Sequence, residues 1–201
     1  MFMGLADPND VARYEEGLAR VTLGGPQPLA GRIEIRDYDP AWPELYAREA
    51  ERIRGVLGDR VVRLEHAGST SVPRLPAKPV IDIVLEVPDS ADEPRYLPEV
   101  EGAGYVLRIR EPDWFEHRLF KGPETNINLH VFSAGCVETE RMLVFRDWLR
   151  GNEGDRDLYA RAKRELAPRD WKYVQQYADA KTAVVTEILA RAQASRQRPG
   201  G

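Results

Sequence analysis

The chain of 201 residues contains one cysteine, Cys136. A single thiol excludes an intramolecular disulfide and suits a reducing compartment. Cys136 therefore reads as a small semi-buried residue, not a nucleophile. Histidine is scarce as well, with three residues, His66, His117 and His130. There is no basic excess: 29 Lys and Arg stand against 33 Asp and Glu, a formal net charge of −4. That balance argues against general nucleic-acid or anionic-membrane binding but leaves room for a local basic pocket. No stretch of 18 apolar residues occurs, so no membrane-spanning helix is expected. The opening MFMGLADPND lacks both the basic and the apolar regions of a signal peptide, and a cytoplasmic location is expected. The Gly-x-Ser-x-Gly elbow of serine hydrolases is missing too.

What is present is the composition of a soluble globular domain, 42% hydrophobic and 31% charged. Residues 8–20 predict a short helix with Val11, Tyr14, Leu18 and Val21 on one side. Gly24-Gly25-Pro26-Gln27-Pro28 then breaks it, and 1–31 reads as an N-terminal extension that packs on the body or stays mobile. The body is expected at 32–193, with a disordered tail at 194–201. Within the body the patterns predict strands at 32–36, 61–65, 79–87 and 105–110. Two more, 115–121 and 126–132, flank Gly122-Pro123-Glu124-Thr125 as a hairpin. Helices are expected from Pro40 (capped by Asp39 and ended by Gly58), over 94–104, and at 138–150, 155–166 and 170–193. The fold class is α/β (α+β): a mixed sheet flanked by helices, with a helical C-terminal third.

The most informative segment is HAGSTSVPRLPAKPVIDIVLEV, residues 66–87. Gly68-Ser69-Thr70-Ser71 offers backbone and hydroxyl donors suited to a phosphate. It also reads as an ordinary turn or helix N-cap. The strand that follows alternates: Ile81, Ile83, Leu85 and Val87 share one face, while Val80, Asp82, Val84 and Glu86 share the other. A carboxylate in an apolar strand is costly unless it serves a site or a cation. A two-ion phosphoryl-transfer site would want a second acid at position 84, on the same face, where this chain has Val. Glu86 lies roughly 13 Å along the strand and cannot replace it.

Lys78 precedes this strand and can neutralise a phosphate. His130 shares a face with Asn128 on the hairpin's second arm, and a neighbouring strand would bring it beside Asp82. Asp82 and His130 are candidate ligands for one divalent ion. A hydrogen bond between them without metal is the competing reading. A hydrolase ion held by His66, Asp82 and His130 together is a more remote alternative. His66 otherwise anchors the loop, and His117 reads as a rim residue. Arg146 and Arg150 are four apart on a helix and share a face that could line the far wall of a cleft. Solvated helix charges look the same.

Beyond these readings the chain resembles the GrpB family, a branch of the nucleotidyltransferase superfamily. The matching residues are Tyr38 to Pro43, Glu65 to Pro73, Ala77 to Ile83, Leu129 to Val131 and Phe145 to Arg150, with Tyr177 and Lys181 in the last helix. Two departures stand out: Val84 replaces the second acid, and Asn128-Leu129-His130 replaces a His-x-His. The resemblance implies a nucleotidyltransferase-like sheet and metal-dependent nucleotidyl transfer, with activity slow or lost. It implies Asp82 and Ser69 as catalytic residues. Gly68, Ser69, Thr70, Ser71, Lys78, Arg146, Arg150 and Lys181 would contact the ligand, and Asp82 and His130 would hold Mg²⁺ or Mn²⁺. A nucleotide or other phosphorylated small molecule is the implied partner. A non-catalytic role as partner or folding aid of a coenzyme A biosynthesis kinase is the alternative.

Overall fold

The computed structural model describes residues 11–197. Five strands form one mixed sheet: β1 (Arg63–Ala67), β2 (Ile81–Val87), β3 (Val106–Glu111), β4 (His117–Lys121) and β5 (Ile127–Ser133). Their spatial order is β1-β2-β5-β4-β3. β2 and β5 pair in parallel and every other neighbour is antiparallel. β4 and β5 form the expected hairpin, with Lys121 opposite Asn128.

Alternation decides which face each strand buries. Ile81, Ile83, Leu85 and Val87 of β2, with Ile127, Leu129 and Val131 of β5, face the main core. Helix α2 (Trp42–Leu57) and the short α3 (Leu97–Gly102) cover that face through Trp42, Ile53, Leu57 and Val100. The Asp39 carboxylate accepts from the Ala41 N–H at 2.8 Å ahead of α2, and Gly58 ends the helix at φ +54°. That backbone conformation is easy only for a residue without Cβ.

The outer face of β2 is buried too, beyond what alternation alone indicates. Val84 packs with Ala67, Trp114 and Phe132, and Met142 of α4 (Val137–Gly151) closes over them. Helices α4, α5 (Glu153–Leu166) and α7 (Thr182–Gln197) bury Leu149, Tyr159 and Ile188 against Val72 and Leu75, just beyond the Gly68 turn. The N-terminal segment packs on the body. Tyr14 of α1 (Val11–Val21) donates to Asp179 at 2.7 Å, and Leu29 N–H donates to Lys172 O at 2.8 Å.

Several expectations shift. The expected strand at 32–36 is one isolated bridge, Arg36 to Ala77. Its apolar residues Ile33 and Ile35 pack on Leu166 and Tyr177, so the alternation reports helix contact, not sheet pairing. The helix expected over 94–104 becomes a 3₁₀ turn, Glu93–Arg95, followed by α3, whose first turn holds Pro98. Proline suits the first turn of a helix, where its missing N–H would have no partner anyway, so α3 starts just ahead of Pro98. The last expected helix divides into α6 (Val174–Asp179) and α7, and α7 continues through Gln197, past the expected end at 193. Positions 8–10 of the expected first helix and the end of the expected tail lie outside the described residues.

Val84 is fully buried. Val84→Asp is therefore expected to lower folding stability by about 3–5 kcal/mol, the usual penalty of an uncompensated buried charge. Urea denaturation measures it, and a loss under about 1 kcal/mol would show that position 84 opens to solvent or to a cation.

Candidate functional site

A cavity of about 600 Å³ opens at the N-terminal ends of β2 and β5, roofed by α5, α6 and the start of α7. Its floor is Asp82, which pairs across β1 and β2 with Ala67, the residue before the turn. Gly68 follows at φ +64°, and a Cβ there would lie 2.2 Å from Asp82 Oδ2. The bare Cα thus lets the carboxylate rest against the turn. Asn128 Nδ2 donates to Asp82 Oδ1 at 2.8 Å, and Asn128 Oδ1 accepts from Lys121 Nζ. His130 Nε2 lies 3.8 Å from Asp82 Oδ1. Burial alone would raise the Asp82 carboxyl, but the contacts with His130 and Asn128 and the charge of Lys78 hold it below the usual range. It is ionised.

Four lysines surround this one acid. Lys78 precedes β2, Lys121 ends β4, Lys163 lies on α5 and Lys181 precedes α7. Burial, reinforced by Lys181, lowers Lys78 to about 8. Burial likewise brings Lys181 to about 8, against the opposing pull of Asp82 and Asp179. Lys121 is lowered, and Lys163 well below its ordinary value, again chiefly by burial. Lys163 Nζ donates to Ser69 Oγ at 3.0 Å and to the Pro76 carbonyl. The Tyr177 ring lies 4.5 Å from Lys181 Nζ and 5.4 Å from Lys78 Nζ. Its hydroxyl is buried with no hydrogen-bond partner among the described residues.

The expected site residues divide into two groups. Gly68, Ser69, Lys78, Asp82, His130 and Lys181 meet at this cavity. Thr70 and Ser71 hold the turn instead: Thr70 Oγ1 contacts His66 Nε2 at 3.0 Å and donates to Val80 O, while Ser71 Oγ donates to Gly68 O at 2.6 Å. Arg150 donates twice to Ser71 O, at 3.0 and 2.9 Å. Arg146 donates to His66 O at 3.0 Å and to Glu65 at 2.8 Å. Both arginines line a second hollow of about 470 Å³ behind the turn, with Tyr46 and Arg74, and Arg146 borders the main cavity as well. His66 stacks on Tyr46 at 4.8 Å, and burial lowers it to about 4, so it is neutral at pH 7. His117 is not a rim residue: it is 1% exposed and bonded to Glu111 and His130.

Sequence reasoning missed Lys121, Lys163 and Tyr159. Lys163 carried a readable signal, since it shares the buried face of α5 with Tyr159, Ala160 and Leu166. Lys121 was legible from the hairpin register once the turn length was fixed.

A divalent ion needs a converging set of oxygen or imidazole ligands. Among the described residues no group of three or more His, Cys, Asp or Glu converges in that way. Asp82 and His130 stand alone, Asn128 turns its N–H₂ to the carboxylate, and four lysines compete for the space. This donor set does not make a resident metal centre. It suits an anion. Among the described residues no helix is long and apolar enough to cross a membrane.

The family described as GrpB protein matches residues 32–191, and the chain belongs to it. A UPF0157 protein of Halalkalibacterium halodurans is 59% identical over 187 residues, covering 93% of this chain and 96% of that one. One from Streptomyces coelicolor is 43% identical, covering 87% and 91%. The crystal structure of conserved protein GrpB from Enterococcus faecalis matches with a TM-score of 0.72 at 30% identity, over 82% of this chain and all of that one. A protein named dephospho-CoA kinase from Mycobacterium leprae is 30% identical over 77% of this chain, which spans 45% of that protein.

The contact between Gly68 and Asp82 is directly testable. Gly68→Ala is expected to lower stability by more than the roughly 1–2 kcal/mol that a left-handed backbone asks of an ordinary residue. In an Asp82→Ala background the loss should shrink toward that value, because the carboxyl contact is gone. Equal losses in both backgrounds would mean that the turn and the acid do not touch.

Proposed function

We propose that this GrpB-family chain binds a small phosphorylated molecule, of nucleotide type, in the hollow between Asp82 and the four lysines. The convergence of Lys78, Lys121, Lys163 and Lys181 on one carboxylate carries this reading. Burying several ammonium groups about a single carboxylate is costly, and their lowered proton affinities record that cost. A polyphosphate supplies the missing negative charge. Ser69 supports the same reading: it lines the cavity, where its oxygen accepts from Lys163 and its hydroxyl lies beside the Tyr159 side chain. The orphan Tyr177 hydroxyl is a further donor at the wall.

Asp82 is the acceptor among these groups. It suits a ligand hydroxyl, such as that of a ribose. A divalent ion belongs to this reading as the companion of the ligand's phosphates. In nucleotidyl transfer of the two-ion kind, paired acids hold the ions that steady the attacked phosphate. Here Val84 leaves Asp82 without a second acid, so binding, not rapid turnover, is the function that this geometry supports. The kinase-named relative adds dephospho-coenzyme A to the ligands of interest, since it joins phosphates to a nucleoside. A role beside a coenzyme A-pathway enzyme would follow from that ligand.

Titration calorimetry at pH 7 with pyrophosphate, AMP, ADP, ATP and dephospho-coenzyme A tests the proposal. Binding by compounds with adjacent phosphates is expected, with AMP weaker. Lys181→Met or Lys78→Met should each weaken it tenfold or more, about 1.4 kcal/mol. Mg²⁺ alone should give no heat. Absence of binding by every compound, with Mg²⁺ present, overturns the reading.

The lysines also set a pH dependence. Lys78 and Lys181 protonate at about 8 in the folded chain and at 10.5 ordinarily. Between those values the unfolded chain holds more protons, so ligand-free stability should rise as pH climbs through that window. Affinity should fall over the same range as the lysines lose charge. Thermal melts from pH 7 to 10, with and without pyrophosphate, read both slopes. An affinity that does not change up to pH 10 would remove the lysines from the ligand.

A further inference from the structure

Behind Asp82 runs a line of side chains that the ligand reading does not use. His130 Nε2 faces the Asp82 carboxylate at 3.8 Å. Its other nitrogen, Nδ1, lies 3.1 Å from His117 Nε2. His117 Nδ1 in turn lies 2.7 Å from Glu111 Oε2. The two imidazoles lie nearly parallel, and His117 also stacks on Phe132 at 4.8 Å. Glu111 and His117 are both buried, at 5% and 1% exposure. The register of β3 on β4 sets Glu111 opposite His117, so strand pairing builds this line.

Each contact in such a line needs one donor and one acceptor, and a neutral imidazole offers one of each. Only two orders satisfy a chain of neutral rings. In the first, the Glu111 carboxyl donates to His117 Nδ1, His117 Nε2–H donates to His130 Nδ1, and His130 Nε2–H points at Asp82 and the cavity. In the second every hydrogen is reversed: Glu111 is a carboxylate, and His130 turns a bare lone pair toward the Asp82 carboxylate. The second order buries an anion that no lysine or arginine pairs with among the described residues. It also sets a lone pair against a negative charge. The first order has neither fault.

We propose that Glu111 and His117 are positioning residues that fix the tautomer of His130, so that His130 presents an N–H donor to the ligand cavity. Burial raises the Glu111 carboxyl to about 8, which keeps its hydrogen in place at neutral pH. His117, driven well below its ordinary value by burial, stays neutral. A metal-ligating nitrogen must be bare, so this order makes His130 a partner for an oxyanion or for Asp82. That last step rests on the phosphorylated-ligand reading. The tautomer itself does not.

Long-range ¹H–¹⁵N spectra of the uniformly labelled full chain at pH 7 read the tautomers directly, with signals assigned by single-histidine substitutions. His130 is expected with Nε2 protonated and Nδ1 bare, and His117 the same. Glu111→Gln should preserve both, because the amide N–H₂ donates where the carboxyl O–H did. Glu111→Leu should release His130 into a mixture of tautomers. A wild-type His130 with bare Nε2 and protonated Nδ1 overturns the proposal, as does an unchanged His130 signal in a folded Glu111→Leu protein. Because ligand-free protein is used, a failure of phosphate binding and a failure of the relay are separate results.

Discussion

The carboxylate of Asp82 lies against a backbone carbon that bears no side chain, and the site is arranged around that approach. Antiparallel pairing of β1 with β2 sets Ala67 opposite Asp82, so the chain must turn away at residue 68, directly beside the acid. Only glycine leaves room, since a Cβ would also meet Asp82 Cβ and Cγ, each at 2.9 Å. The turn is then fixed from within by the hydroxyls of Thr70 and Ser71. Ser69 is left facing the cavity. Three neighbouring hydroxyls thus carry two different jobs, and their backbone geometry assigns them.

Basic residues divide in a similar way. Arginine, with its planar fork, holds carbonyl oxygens in fixed geometry. Arg150 and Arg146 do this behind the turn, gripping Ser71 O and His66 O. Lysine, a compact charge on a flexible stem, suits a ligand whose phosphates vary in position. The groups gathered about Asp82 are lysines, drawn from loop, strand end and helix, while Arg32, Arg141 and Arg146 also line the cavity. Behind the turn the fork holds the backbone, and beside Asp82 the charges are those of lysines. Overall net charge conceals this, because −4 is an average over the whole chain.

Much of this was legible in the residues and some of it was not. The alternation of β2, the hairpin about Gly122-Pro123 and the pairing of the Gly68 turn with Asp82 are local patterns, and they read correctly. Arg146 and Arg150 do share a helix face, as their spacing requires, but spacing cannot say which side of the turn that face meets. The segment at 32–36 alternates like a strand because it lies between solvent and a helix pair, which imposes the same period as a sheet edge. His117 was misplaced for a related reason. Its parity was ambiguous because Phe115 and Glu116 both adopt positive φ just before β4. Lys163 shows the remaining limit: a lysine on a buried helix face marks a polar site, but its partner is 94 residues away in the chain.

The hydrogen-bonding character of the cavity follows from these placements. Lys78, Lys121, Lys163, Lys181 and the Ser69 hydroxyl are donors, and the N–H proposed for His130 is another. Asp82 is the strong acceptor among them, with one oxygen already engaged by Asn128. A cavity so rich in donors is the reason for proposing a ligand rich in acceptor oxygens that brings few hydrogens of its own. Phosphate chains joined to a sugar have that balance. Carboxylic acids with a single charge do not, since they would leave ammonium groups buried and unpaired. A second carboxylate at position 84 would bring another negative charge toward those lysines, and it would have to enter the buried layer of Ala67, Trp114 and Phe132 to do so.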